Sequence, residues 1–268
     1  MKAPIVIVGM GQLGSLFAEA LLKQGHTVVP VLRGGNIEEV CTTEPAAIIL
    51  AVGEDELESV WGAVPSRYRH RSVVLQNELR PSAWLSFPEF EKNDPTCAIV
   101  WFEKKPGTVA HIVLPTVLSG PHRRLLSCAL SALGLSTKTI ESRNELAHEL
   151  VLKNLYILGL NLTGLRTGGT AAELLGKNHE LFWKVIDEVL QLEIALLKQE
   201  SSGGISAFAN ITLDQERLKA DLKRALNADP THGCSGRSAP ARLRRTLSHA
   251  ETLGLKLPTI NSLQAELP

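Results

Sequence analysis

Six residues, Gly9-Met10-Gly11-Gln12-Leu13-Gly14, have a spacing that suits phosphate binding. They read GxGxxG and follow an apolar run, Ile5–Val8. They also open a segment in which Leu13, Phe17 and Leu21 recur at helical spacing. In that setting each glycine has its own task. Gly9 permits the tight turn, Gly11 lets a pyrophosphate approach the backbone, and Gly14 lets the helix pack closely. The free N–H groups at the helix N-terminus then face the phosphates. The bland alternative is a strand-turn-helix with no ligand; the flanking strand and helix argue against it.

The second β-rich run, Thr27–Leu32, ends at Arg33-Gly34-Gly35. An acid at this place accepts from the ribose 2′-OH of NAD, whereas an arginine matches the 2′-phosphate of NADP. No Asp or Glu occurs between Arg33 and Glu38, so Arg33 is expected to face no competing carboxylate. NADP(H) is therefore the expected cofactor; the alternative is a solvated surface arginine. Ala51 and Val52, at the end of the run Ala47–Gly53, are expected to line the dinucleotide.

These residues need a parallel sheet to position them. Ile5–Val8, Thr27–Leu32, Ala47–Ala51 and Val73–Gln76 read as strands, with helices at the glycine loop and at Asp55–Val64. Pro81–Phe90 reads as irregular, Ile99–Phe102 and Ala110–Val117 as strands, and His122–Leu133 as a helix. Beyond residue 142 the pattern turns helical: Asn144–Leu165, Ala171–Glu200, Asp214–Asn227 and Ser238–Leu253, with a Gly/Ser-rich loop at Ser201–Asn210. The expected fold is α/β, an N-terminal Rossmann domain (1–142) followed by an all-helical C-terminal domain (143–268) that serves substrate binding and dimerisation.

The 268 residues carry 28 basic and 28 acidic side chains, a net charge of zero. That balance gives no general attraction to nucleic acid or anionic membrane, so any anion site is local. No apolar run reaches the roughly 18 residues of a membrane span. Cys41, Cys97, Cys128 and Cys234 form no CxxC pair and read as free thiols of a cytoplasmic protein. The eight histidines show no HExxH spacing, so no metal site is expected.

The order of motifs resembles the ketopantoate reductase (2-dehydropantoate 2-reductase) family over most of the chain. The glycine loop, Arg33, the strand Ala47–Val52 with its short helix, and Gln76-Asn77 at a strand end carry the likeness. So do Lys105-Pro106-Gly107 before a strand through Ile112, similar to the family's β-hairpin, and Glu145-Leu146 with Leu152-Lys153-Asn154, similar to its signature helix. The resemblance implies NADPH-dependent reduction of a carbonyl beside a carboxylate. It implies Lys153 as proton donor at the carbonyl oxygen, Asn77 near nicotinamide and substrate, and Asn161 at the substrate. It also implies a helical half like the C-terminal domain of 6-phosphogluconate dehydrogenases. Apart from the resemblance, the apolar helices of the second half could pair between subunits in a possible homodimer.

The residues around Lys153 bear on that role. Leu150–Leu158 is apolar nearly all round, and a lysine forced into such surroundings loses preference for its charge and becomes a better acid near neutrality. Two alternatives stand beside this: a lysine that snorkels to water, and one held charged by Glu149 at i,i+4. The sequence departs from the family pattern at Ile157, where an asparagine is usual, at Glu78, and at the last helix. There Gly236–Ala241 carries no acid in place of the family's glutamate. Arg242-Leu243-Arg244-Arg245 follows Ser238 and Pro240, and is either a solvated face or a grip for a substrate carboxylate. These departures leave two further readings: an imine or cyclic-acid substrate on the same fold, and an inactive NADP-binding regulatory protein.

Overall fold

The computed structural model describes residues 3–75, 95–104, 107–202 and 211–267. Expectations for Gln76-Asn77, Glu78, Pro81–Phe90, Lys105-Pro106 and residues 203–210 lie outside them. The chain folds as two compact units, the first reaching Leu146 and the second beginning at Ala147.

In the first unit, β1 (Ile5–Val8) leads through the glycine loop into α1 (Gln12–Lys23) and then β2 (Val28–Val31). After α2 (Ile37–Val40), β3 (Ala47–Leu50) is followed by a 3₁₀ turn at Glu54–Glu56, α3 (Leu57–Ala63) and α4 (Ser66–Arg69). Then come β4 (Ser72–Val74), β5 (Thr96–Ile99), β6 (Phe102–Glu103), β7 (His111–Ile112), β8 (Thr116–Ser119), α5 (Arg123–Ser131) and β9 (Thr137–Thr139). Among the described residues the main sheet has the order β2-β1-β3-β4-β5-β8-β9. Pairing is parallel from β2 through β5, and β8 runs antiparallel to β5. Registry is regular, Ile5 facing Val28 on one side and Ala47 on the other.

Strands β1 and β3 are buried along their whole length, as their unbroken apolar runs require. Phe17 and Leu21 of α1 are fully buried and share one core with Ile5, Ile7, Ile49 and, from α5, Leu126 and Leu130. Each such side chain contributes roughly 1.5–3 kcal/mol relative to exposure. Gly25 stands just past α1 with φ of 69°, where a glycine ends a helix without a Cβ clash.

Two expectations are corrected here. The run Ala110–Val117 is not one strand: β7 pairs with β6 in a separate hairpin, and β8 joins the main sheet. Alternation alone cannot tell which sheet a strand joins. Ile99–Phe102 likewise splits between β5 and β6. The short strand β9, Thr-Lys-Thr, has no apolar pattern to announce it.

The second unit is helical: α6 (Arg143–Thr167), which starts at the end of the first unit, then α7 (Ala171–Leu175), α8 (His179–Ser202), α9 (Gln215–Ala228), α10 (Ala239–Thr252) and α11 (Pro258–Ser262). The segment expected as one helix from Ala171 breaks at Gly176, which caps α7, and α8 runs through Ser201 and Ser202, expected as loop. A Cβ on Gly159 would come within 2.9 Å of Phe182, so α6 and α8 approach closely there. His148 of α6 meets Asp221 of α9 at 2.9 Å. The carboxylate of Glu188 on α8 accepts from the backbone N–H groups of Thr259 and Ile260, each at 2.8 Å, and so caps α11. Among the described residues no helix is long and apolar enough to cross a membrane.

Candidate functional site

A pocket of about 640 Å³ opens at the C-terminal ends of β1, β2 and β3. Its wall includes Gly9, Met10, Gly11, Arg33, Ala51 and Val52, all expected there from the sequence. Gln12, Leu13 and Gly14 do not line it. Gln12 begins α1, Leu13 packs against the core, and Gly14 is buried beneath the loop.

The three glycines differ in what they tolerate. Gly9 has φ of 89°, and a Cβ there would stand 2.4 Å from the carbonyl oxygen of Ala51. A Cβ on Gly14 would stand 1.9 Å from the carbonyl oxygen of Gly9, so this glycine lets helix and loop close on each other. Gly11 is the opposite case: a Cβ there would meet nothing within 4 Å. Packing does not require a glycine at this position; the open space beside it lies in the pocket. Helix α1 has no side-chain cap bond at Gly11 and no acid in its first turn, so its N-terminal N–H groups keep their pull on an anion. These residues fit a dinucleotide.

Arg33 sits at the rim of this pocket, and here the sequence reading is corrected. Its Nη2 donates to Glu56 Oε1 at 2.7 Å, so a carboxylate does compete for it. Glu56 comes from the turn after β3, the strand beside β1, and also lines the pocket. Nothing local to Arg33 announces this partner, 23 residues away. The pair is exposed, at 88% for the Arg33 side chain and 47% for Glu56. Such surface pairs contribute only about 0–1 kcal/mol, so a ligand can break it. Asn36, Ser59 and Val60 also line the pocket and carried no signal in the sequence.

Lys153 lies on α6 and is buried, which excludes the snorkelling alternative. Burial first, and the Arg242 guanidinium second, together lower its pKa from 10.5 to about 7. Its Nζ lies 5.4 Å from the Tyr156 ring centre. That contact favours the charged amine, but the net shift is downward, so desolvation outweighs it. Tyr156 in turn meets His232 edge to face.

Asn161, two turns beyond Lys153, is also buried, and its Oδ1 accepts from Arg242 Nη1 at 2.9 Å. An arginine only donates, which orients the amide with its oxygen toward the guanidinium. Arg242 itself is buried on α10, on the stripe that includes Ala239, Leu243, Thr246 and Ala250. The sequence offered that signal: this arginine falls on the apolar spacing, not on the charged face suggested by the run Arg242–Arg245. Ser238 stands at the N-cap of α10 without making a side-chain cap bond, and Pro240 lies in the first turn. Asn154 is buried, and its Oδ1 has no hydrogen-bond partner among the described residues. Such an acceptor calls for a ligand donor or an ordered water. Asn77 lies outside the described residues.

Residues 5–47 match the family model of ketopantoate reductase PanE/ApbA. No curated protein sequence matches the chain significantly. Among solved structures, the PanE/ApbA family ketopantoate reductase of Ralstonia eutropha JMP134 is 15% identical, with a TM-score of 0.65, covering 98% of this chain and 96% of its own. D-mandelate dehydrogenase, solved with NADH and anilino(oxo)acetate, is 13% identical, with a TM-score of 0.65 and coverage of 98% and 97%. A ketopantoate reductase of Staphylococcus aureus described as dimeric is 14% identical, with a TM-score of 0.61 and coverage of 98% for both chains. The likeness to the ketopantoate reductases read from the sequence is thus found again, by the family model over the glycine loop and β2 and as a shared fold over nearly the whole chain.

Proposed function

We propose that this chain is an NADP(H)-dependent reductase of the ketopantoate reductase kind, acting on a small 2-oxo acid with Lys153 as proton donor. The observation that carries the reading is the buried lysine: an amine whose pKa falls to about 7 can both hold and release a proton at neutral pH. The pocket beside Gly11 supports a dinucleotide, which supplies the hydride when bound.

The residues of the chain then have distinct tasks. Gly9 and Gly11 shape the loop over the pyrophosphate, the first turn of α1 (Gln12, Leu13, Gly14) presents N–H groups to it, and Ala51 and Val52 form the floor. Arg33 takes the 2′-phosphate. Lys153, protonated, donates to the carbonyl oxygen of the substrate as that oxygen gains charge, and is left neutral in surroundings that favour the neutral form. Arg242, oriented by Asn161, takes the substrate carboxylate in a forked pair of hydrogen bonds. In this reading Arg242 answers the altered last helix, where the sequence has no glutamate. Asn77 completes the site near the nicotinamide. A homodimer, the state named for the Staphylococcus aureus reductase, is proposed for this chain too.

The test is a titration of the purified chain with NADPH and NADH, followed by addition of ketopantoate and a panel of 2-oxo acids. NADPH binding with consumption on adding an acid of this class is expected. Binding with no consumption on any carbonyl or imine would replace a reductase with a nucleotide-binding protein.

A further inference from the structure

The ion pair at the pocket rim bears on which nucleotide this chain prefers. We propose that Glu56 restrains the preference for a 2′-phosphorylated nucleotide by competing with the 2′-phosphate for Arg33, making it a determinant of cofactor choice. This rests on reading the pocket as a dinucleotide site. Arg33 is the only basic residue of the pocket wall among the described residues, and Glu56 holds it at 2.7 Å. The carboxylate cannot retreat with its backbone. Glu56 N donates to Gly53 O at 3.0 Å, and Glu56 O accepts from Ser59 Oγ at 2.9 Å, so the turn is tied at both ends. The side chain alone must swing away.

Charge sets the sign of the effect. A phosphate monoester brings about −1.5 to −2 at neutral pH. Placed on Arg33, it must take over donors now given to Glu56 and then sit beside the displaced carboxylate. Glu54 and Asp55 belong to the same turn and carry charge of the same sign as Glu56. A ribose with a free 2′-OH meets none of this. Its hydroxyl donates to a carboxylate oxygen, and Arg33 stays paired. Glu56 therefore weakens NADPH and leaves NADH unharmed or slightly favoured.

The experiment is nucleotide binding without turnover, read from the fluorescence of the reduced nicotinamide. The full chain, Glu56→Gln, Arg33→Ala and the double variant are each titrated with NADPH and with NADH. Glu56→Gln is expected to tighten NADPH about two- to fivefold while NADH stays level or weakens. In the Arg33→Ala background the same substitution is expected to lose most of its effect on NADPH, because the contested group is gone. An NADPH affinity unchanged or weakened by Glu56→Gln overturns the proposal, since the carboxylate would then only hold Arg33 in place. Failure of the unsubstituted chain to bind either nucleotide overturns the reading of the pocket and this proposal with it. Both residues are exposed, so the variants are expected to melt with the parent.

Discussion

Arg242 of α10 donates to Asn161 of α6 across 2.9 Å of buried interior, on the same helix that carries Lys153. The hydrogen bond ties the last long helix of the second unit to the helix with the candidate acid. It also brings a permanent positive charge close enough to lower the lysine pKa. One contact thus links packing to proton chemistry.

Lys153 makes stability depend on pH in an unusual direction. Its folded pKa is about 7, below the unfolded value near 10.5. Between these values the unfolded chain binds more protons, so stability rises with pH through that window. Below about pH 7 the amine is charged in both states and the burial cost is complete. Urea unfolding of Lys153→Met between about pH 6 and 10 is expected to show a flatter profile and, at pH 6, higher stability by a few kcal/mol. A parent profile as flat as the variant's would mean that Lys153 is not held near 7.

The same value predicts the activity profile. The donor is the protonated amine, so turnover of a confirmed substrate should decline as pH rises through about 7. Lys153→Ala is expected to lower kcat by about 10²-fold or more with the nucleotide dissociation constant unchanged. A variant that keeps full activity would remove Lys153 from the role.

Replacing Arg242 should act on two readouts at once. Arg242→Leu removes a charge that lowers the Lys153 pKa, so the alkaline limb of the pH–rate profile moves upward. It also removes the partner of Asn161, a loss of about 1–3 kcal/mol in stability. KM for an acid substrate should rise while nucleotide affinity holds. Arg242→Lys, which keeps the charge without the planar fork, should restore the pH limb but not KM.

Two alanines in the glycine loop should separate packing from binding. Gly14→Ala drives a Cβ into the backbone of Gly9 and is expected to lower stability by about 1–3 kcal/mol. Gly11→Ala meets no protein atom, so its melting temperature should match the parent's while nucleotide affinity falls about tenfold or more. Equal nucleotide affinity in Gly11→Ala and the parent would place the pyrophosphate elsewhere.

The carboxylate of Glu188 is the cap of α11, so Glu188→Ala leaves two backbone N–H groups without it. A loss of about 0.5–2 kcal/mol is expected in denaturant unfolding, with nucleotide binding unaffected. An unfolding curve that overlays the parent's would show that α11 holds without this cap.

The α/β-then-helical order, the glycine loop and its place at the end of β1 were legible in the sequence alone. Each depends on neighbours close in the chain: an apolar run long enough for a buried strand, a spacing of 3.6, a glycine where φ must be positive. The burial of Lys153 was legible in part: residues 150–158 are apolar nearly all round, but a lysine snorkelling to water or paired with Glu149 stood beside that reading until the structure placed it inside. Three things were decided only by the tertiary structure. The turn after β3 brings Glu56 to Arg33 across the end of β1, the strand between β2 and β3 in the sheet, and no local pattern encodes that order. The run at 110–117 divides between two sheets because strand pairing is settled by partners far along the chain. Arg242 meets Asn161 across 81 residues because α10 packs its apolar stripe inward and carries the arginine with it. Local spacing determines which elements form; only their packing determines which charges meet, and here those meetings set both the nucleotide preference and the acidity proposed for this protein.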